Sequence, residues 1–553
     1  MSRREAWLSA GAVFIAALAV RIAAAVAISF PVPEDTAYYA GVARNIVDGR
    51  GLVTYALWSY GTPPLIVPRA AFEIWMPLPS FLAAVPIALA GTANWFRAAQ
   101  VMSVLVSSLV AVLAWRLGAD VAAEMHLPVG RARTVGVGTG LIAAVTWPLV
   151  IYGALPDSTA LFAALSLAGC LLMARIAASA GSGATGSGAT VAPFDRRLLV
   201  LGVVLGLAAL TRSEAIWLAL VWAALAWFCI PGTRRYRARL IGAPAVIAAA
   251  IFAPWAIRDW LAFGTPLPGQ TISNALYLHT TDVFAYQDQP TLARYLAQGP
   301  GVILGTHLDG FIHDFFSVLM VPAFPIGILG VVALLWVGRR RALRPLVLTA
   351  GLTFLVTSLV FPVATQAGTY MHAAGSAIVL VIIGCVVALD AFIAWIGKLR
   401  HWTRPVAWLG PAFAIAAVAP LCMVTVTTIS NQADDARTRY EALPAAMARA
   451  GFPLDGSHPV ITDNPIWLAE TTGIPTLALP EEPPAAVLAL ANQFGAQLLI
   501  VRDGTDREWP DILATGGNAS KCFKEVPLTD NSGKKPATGT PLSIIHVFRI
   551  ACP

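Results

Sequence analysis

A chain of 553 residues that is 57% hydrophobic and 12% charged, with a mean hydropathy of +0.70, is far too apolar for a soluble globular protein, whose charged fraction is about 25%. It reads as a polytopic membrane protein. The formal net charge of +7 does not point to nucleic acid, because the basic residues fall in short clusters between apolar runs and only five of the 37 are lysines, the pattern of orientation signals.

Residues 7–30 form the first apolar run, preceded by Arg3 and Arg4. At about 24 residues it is long enough to span with tilt, whereas the apolar core of a cleaved signal peptide is about 7–15; it is expected to be retained. Glu34 and Asp35 stand at the mouth of this run, where a carboxylate is costly unless it faces water, a cation or a substrate. From Pro31 to Arg97 the chain is aromatic, proline-rich and only locally apolar. Its segment 78–90, about 13 residues with Pro79 and Pro86, is by length an interfacial or re-entrant helix.

Further apolar segments follow at 98–115, 134–153, 157–176, 198–211, 214–230, 240–261, 316–338, 345–364, 372–396 and 405–429, so that eleven spans are expected. Alternate connections carry Arg3 and Arg4; Arg116, Arg131 and Arg133; Arg196 and Arg197; Arg234, Arg235, Arg237 and Arg239; Arg339, Arg340, Arg341 and Arg344; Lys398, Arg400 and Arg404. The positive-inside rule makes all of these cytoplasmic, with the N-terminus inside and residues 31–97 and 431–553 outside. Counting 78–90 as a span would break the alternation. The run AGSGATGSGAT at 180–190 is expected to be a flexible linker. From residue 431, HPVITDNPIWLAETTGIPTLALP and GAQLLIVRDG alternate β-type runs with helix-length segments, which suggests a small soluble α/β domain. Cys522 and Cys552 are a candidate disulfide if that region lies outside the cytoplasm.

On this map the polar residues at the membrane edge share the external face. Asp35 ends the first span, and Asp157 in ALPDSTA opens the fourth. Arg212 and Glu214 in LTRSEA join the fifth and sixth, Arg258 and Asp259 in PWAIRDW end the seventh, and Tyr370 and His372 in GTYMHAAG open the tenth. Carboxylates and arginines gathered at one end of a bundle predict a water-filled cavity at the bilayer boundary. Plainer readings stand beside this one: Asp157 as a helix cap after Pro156, Arg212 with Glu214 as an ion pair in a turn, His372 as a packed imidazole. The GxxxxGK[ST], HExxH and GxSxG motifs are absent from the sequence, so the energy for a transfer reaction would arrive in an activated, lipid-borne substrate.

PEDTAYY, FEIWMPLPSFLAAVPIALAG, LPDSTALFAALSLAG, GLAALTRSEAIWLAL, PWAIRDWLAFGTPLP and GTYMHAAG follow one another across nearly the whole chain. This ordered set resembles the GT-C superfamily of polyprenyl-phosphate-sugar-dependent membrane glycosyltransferases, which includes protein mannosyltransferases and the aminoarabinose transferase of lipid A. Two pieces depart from the family pattern: its basic-Pro-Pro piece is represented by TPPL and PRAAFE, and Gly368 and Thr369 stand where many members have Arg-Tyr. The resemblance implies a GT-C-like α-helical membrane domain over 1–430, interfacial helices in the first external loop at 31–97, and an external soluble domain over 431–553. It also implies inverting sugar transfer from a polyprenyl-phosphate donor to an acceptor at the external face of the plasma membrane. Asp35 corresponds to the catalytic acidic residue and Asp157 to the second acidic position. Candidates for binding substrate are Glu34, Tyr38, Arg69, Glu73, Arg212, Glu214, Arg258, Tyr370 and His372, with Arg258 or Arg212 facing the leaving phosphate. A divalent metal between Asp35 and Asp157 is the cofactor considered. The alternative is a transporter or lipid flippase, which would need polar groups near the midplane and repeated halves, whereas these charges cluster at one edge.

Overall fold

The computed structural model describes residues 2–182, 196–269, 273–402, 406–504, 507–530 and 532–552. The expected Gly/Ser-rich linker lies, from residue 183 onward, outside the described residues. Helix α1 (Arg3–Ala27) is closed at its start by a reciprocal capping box between Ser2 and Glu5. In α2 (Glu34–Val47) both acidic residues occupy the first turn, where the unpaired N–H groups of a helix start favour negative charge. Strands β1 (Val53–Thr54), β2 (Ala56–Leu57) and β3 (Arg69–Ala70) and the short helix α3 (Leu78–Ala90) complete the first long loop.

The apolar bundle continues as α4 (Trp95–Glu124), α5 (Val129–Val145), α6 (Trp147–Ala154), α7 (Ser158–Ser182), α8 (Arg196–Ala209), α9 (Ala215–Ala224) and α10 (Arg234–Phe263). A loop carrying α11 (Leu292–Ala297) leads to α12 (Gly299–His313), α13 (Gly327–Val337), α14 (Arg344–Val360), α15 (Thr369–Ala373), α16 (Gly375–Leu399) and α17 (Leu409–Arg449). The C-terminal region then alternates β4 (Val460–Thr462), α18 (Pro465–Thr472), β5 (Thr476–Ala478), α19 (Pro484–Phe494), β6 (Leu498–Arg502), α20 (Gly517–Ser520), β7 (Phe523–Glu525) and β8 (Ile545–Ile550).

The number of spans differs from the eleven expected. Among the described residues six helices are long and apolar enough to cross a membrane, α1, α4, α7, α10, α16 and α17, or up to eight spans if two bent pairs each count as one. Those pairs are α5 with α6, bent by 57°, and Gly299–Ala323 with α13, bent by 105°. The three remaining apolar segments are helical but short: α8 has 14 residues, α14 has 17, and α9 with its following turn covers Ala215–Cys229. A span needs about 20 residues, and the runs behind α8 and α9, 198–211 and 214–230, are themselves only 14 and 17 residues long.

Burial separates the centre of the bundle from its rim. In α16 every residue from Gly375 to Asp390 is buried, while α10 exposes Val246, Ile257 and Leu261 and α17 exposes Phe413, Met423 and Val424. The core contact of α13 with α16 depends on glycine: a Cβ at Gly330 would stand 2.3 Å from the Val381 carbonyl oxygen, and one at Gly384 2.5 Å from the Gly330 carbonyl oxygen. Such close approach is the usual basis of helix association in lipid, where packing replaces the hydrophobic effect.

At one end of the bundle lies a six-stranded sheet in the order β2-β5-β4-β6-β8-β7. Its first four strands are parallel, and β8 runs antiparallel to both β6 and β7. The edge strand β2 comes from the first long loop, with Ala56 opposite Thr476 and Leu57 opposite Leu477. Helix α17 runs unbroken across residue 430 into the C-terminal region. One apolar core accordingly joins Ala40 and Ala43 of α2, Ala99 of α4 and Leu443 of α17 to Val460, Ile500 and Val547 of the sheet. Cys522 and Cys552 are disulfide-bonded.

Candidate active site

Three elements meet at the sheet end of the bundle. Asp35 lies in the first turn of α2, Asp157 immediately precedes α7, and His372 lies in α15. His372 Nε2 is 3.7 Å from Asp35 Oδ2, and His372 Nδ1 is 3.4 Å from Asp157 Oδ1. Thr159 holds the enclosed half of this arrangement. Its backbone N–H donates to Asp157 Oδ1 at 2.6 Å, its hydroxyl donates to the same oxygen, and that hydroxyl is 2.7 Å from His372 Nδ1. The Tyr152 ring meets the His372 ring edge-on at 5.1 Å, and the Trp75 side chain hydrogen-bonds Asp35.

The two carboxylates sit in opposed surroundings. Asp157 is fully enclosed, while the Asp35 side chain is 29% exposed, so Asp35 is the member open to an incoming group. Burial pushes the Asp35 carboxyl above its ordinary value, and the charge of Asp157 adds to this against the pull of His372. Burial acts in the same sense on Asp157, but the His372 charge and hydrogen bonds from His372 and Thr159 outweigh it and hold that carboxyl below its ordinary value. His372 responds reciprocally: burial opposes its charge, and Asp157 outweighs burial and raises it. Carboxylates pushed apart in this way are suited to different roles, one exchanging a proton and one staying ionised.

One donor atom each from Asp35, Asp157 and His372 lie within 4.8 Å of one another. The buried Asp157 Oδ2 has no hydrogen-bond partner among the described residues, an open coordination position in a set of two carboxylates and an imidazole. That donor set suits a divalent cation such as zinc or manganese, so Asp35, Asp157 and His372 fit a metal.

The other residues singled out in the sequence divide into two groups. Arg212 belongs with the site: it grips Glu214 through Nε at 3.1 Å and Nη2 at 2.6 Å, and donates to Ser158 Oγ at 3.0 Å and the Thr369 carbonyl at 3.4 Å. The ion pair in a turn is therefore real, and it also ties the starts of α7 and α15 together. Glu34 faces away from Asp35 and accepts the backbone N–H groups of Ile466 and Trp467 at 3.1 and 3.2 Å. The buried Tyr38 hydroxyl accepts the Phe72 N–H at 2.5 Å. Arg69 and Glu73 form a closed pair at 2.5 Å. Arg258 pairs with Asp259 at 2.8 Å, donates to the Leu52 carbonyl and lies over the Trp255 ring. Tyr370 is wholly buried in the bundle core. A cavity of about 350 Å³ lies elsewhere, between Leu278, Thr281, Thr306, Asp309, Gln366 and Glu481.

Thr159, Tyr152 and Trp75 were not foreseen as site residues. For Thr159 a signal existed, since Asp-x-Thr is the spacing at which an aspartate accepts the backbone N–H two residues on. Trp75 and Tyr152 are brought in by folding alone.

No protein-family model matches this chain, and no curated protein matches it either. Solved structures do. ArnT from Cupriavidus metallidurans bound to undecaprenyl phosphate superposes with a TM-score of 0.55 at 13% identity over 98% of each chain. An Archaeoglobus fulgidus oligosaccharyltransferase in complex with Zn and sulfate gives 0.55 at 12% identity, over 96% of this chain and 73% of that one. AglB, the archaeal oligosaccharyltransferase of the same organism, in complex with an inhibitory peptide and a dolichol-phosphate gives 0.53 at 12% identity, over 94% and 74%. The chain shares the fold of these solved membrane proteins, in line with the GT-C-like fold that the resemblance of its ordered motifs implies.

Proposed function

We propose that this protein is an integral-membrane glycosyltransferase that moves a sugar from a polyprenyl-phosphate-linked donor to an acceptor on the external face of the plasma membrane. The observation that carries this reading is the convergence of Asp35, Asp157 and His372 from three separate elements at one end of an apolar bundle. Neighbours of the same fold hold undecaprenyl phosphate or dolichol-phosphate, which supports a donor of that class.

In the reaction the acceptor nucleophile forms a bond to the anomeric carbon as the bond from that carbon to the lipid phosphate oxygen breaks. A single displacement of this kind inverts the configuration. Asp35 takes the proton that the acceptor gives up; its raised position brings it toward the pH at which it works, which is what favours a general base. Polyprenyl phosphate departs with the electron pair. Arg212, whose charge acts on both Asp35 and Asp157, stabilises the negative charge that develops there. Asp157 and Thr159 hold His372 in place against Asp35. A divalent cation held by Asp35, Asp157 and His372 would supply further positive charge beside the reacting groups.

In this reading the N-terminus is cytoplasmic, and the first long loop and the sheet region lie outside. Residues 1–430 supply the reacting groups, while 431–553 cover them and take part in holding the acceptor. Mass spectrometry of envelope glycans and glycoproteins from cells carrying wild-type protein, Asp35→Asn, or neither tests the proposal. One sugar addition should be present with wild type and missing from both other samples. Envelopes indistinguishable among the three would refute it.

A further inference from the structure

Helix α2 has two working faces. Asp35 follows Glu34 by one residue, about 100° round the helix, and turns toward Asp157 and His372. Glu34, Gly41 and Arg44 face α18 instead. Glu34 accepts the first backbone N–H groups of α18, and the Trp467 indole donates to the Pro31 carbonyl at 2.7 Å. One turn further along α18 and nearly three along α2, Arg44 Nη2 meets Glu470 Oε2 at 2.6 Å and both terminal nitrogens reach the Glu470 carbonyl at 3.3 Å. The Glu470 carboxyl lies against the bare backbone of Gly41, where a Cβ would stand 2.1 Å from its carbon. Ile466 and Ala469 fill the remaining contact with Ala37 and Val42. With the Glu470 carboxyl held there by Arg44, the space at 41 admits only glycine, and any larger residue has to push that carboxyl out of its pairing.

We infer that α18 is a positioning element for the reacting groups: the lock formed by Gly41, Arg44 and Glu470 fixes the rotation and height of α2, and so the place of Asp35 against His372. Covering the site is not the sheet region's only task; it sets the geometry of the residue proposed to accept the proton. The sheet reinforces the lock through β2, which enters from the same loop to pair with β5, directly after α18. This inference takes the role of Asp35 from the proposed function, but the position of α2 can be read without it.

The test uses full-length protein in lipid nanodiscs, with Gly41→Ala, which fills the space of the Glu470 carboxyl, and Glu470→Gln, which removes the charge pair while keeping shape. Hydrogen exchange read by mass spectrometry should show α2 and α18 losing protection together in both variants, with α4 and α16 unchanged. Transfer assays on the same samples should show kcat down by about 10- to 100-fold, the scale of a misplaced catalytic group, with the donor KM within about twofold of wild type. Unchanged protection of α2 in both variants would overturn the inference, as would a raised KM at full kcat. Exchange is measured without substrate, so an inactive wild type would count against the transferase reading alone.

Discussion

Asp35 and Asp157 are the same chemical group in two settings, and the difference between them makes predictions at the level of single residues. A general base works only when deprotonated. With its carboxyl raised above 3.8 by burial, Asp35 should give full turnover above its own value and lose it as the pH falls through that value. In protein stripped of divalent metal the Asp35 carboxyl should titrate above 3.8, followed by infrared difference spectroscopy against Asp35→Asn; titration at or below the ordinary aspartate value would contradict the assignment. Asp157→Asn and His372→Ala should each weaken Mn²⁺ binding, measured by calorimetry, by about tenfold or more, the scale on which metal sites lose affinity when their shells are disturbed. Unaltered binding would remove these residues from the metal site. Away from the site, Glu73→Ala leaves the buried Arg69 without a counter-charge, with only the Ser59 and Thr62 carbonyls as acceptors, a loss of at most about 3–5 kcal/mol by the general behaviour of broken buried pairs, visible as a lowered thermal midpoint. Carboxylates at the ends of apolar runs are legible because lipid makes them expensive, so Asp35 and Asp157 stood out. Glu34 was legible as unusual but not in its direction, since its partners are 432 and 433 residues away. Arg21 lies inside the first apolar run, where the sequence carries no sign of its partners. It is wholly buried and donates to the Ala143 and Ala144 carbonyls at 3.4 and 3.1 Å, beside the bend between α5 and α6, a bend that only the fold reveals.

Among the elements, close helix packing in the bundle centre is the most exposed to substitution. Gly330→Leu would drive a side chain into the backbone of α16, whose Val381 oxygen would stand 2.3 Å from even a single Cβ, well inside contact distance. Overpacking of this sort costs about 1–3 kcal/mol, and more where backbone is the obstacle; thermal unfolding in nanodiscs should show it, while the same change at half-buried Gly242, where an added Cβ meets nothing within 4 Å, should leave the midpoint nearly unchanged. Equal stability of the two variants would contradict the close α13 to α16 contact. Most helices were legible from apolar runs, since each expected segment is helical. Their short lengths were partly legible too: α8 and the 198–211 run are both 14 residues, closed off by Thr211, Arg212 and Glu214, and α14 stops just before Pro362. The contribution of β2 to the sheet was invisible: a two-residue strand in a proline-rich loop carries no periodicity, and its partner lies some four hundred residues on.

At the scale of the whole molecule, the bundle places its acidic site at the sheet end and its arginine clusters at the other. That asymmetry is the physical basis for assigning the sheet end to the outside. A cysteine introduced at Ser457, exposed beside the sheet, should react with an impermeant maleimide in intact cells; reaction only after lysis would reverse the assignment. Asp35, supported by Asp157 and His372, is proposed to carry sugar transfer from a lipid-phosphate donor. The most direct measurement is release of polyprenyl phosphate from a polyprenyl-phosphate sugar by purified protein in vesicles, in the presence of acceptor. Wild type should release it with matching sugar transfer, and Asp35→Asn, folded to the same thermal midpoint, should be slower by about 10²–10⁴-fold, the usual contribution of a positioned base. Wild-type rates from Asp35→Asn would contradict the account.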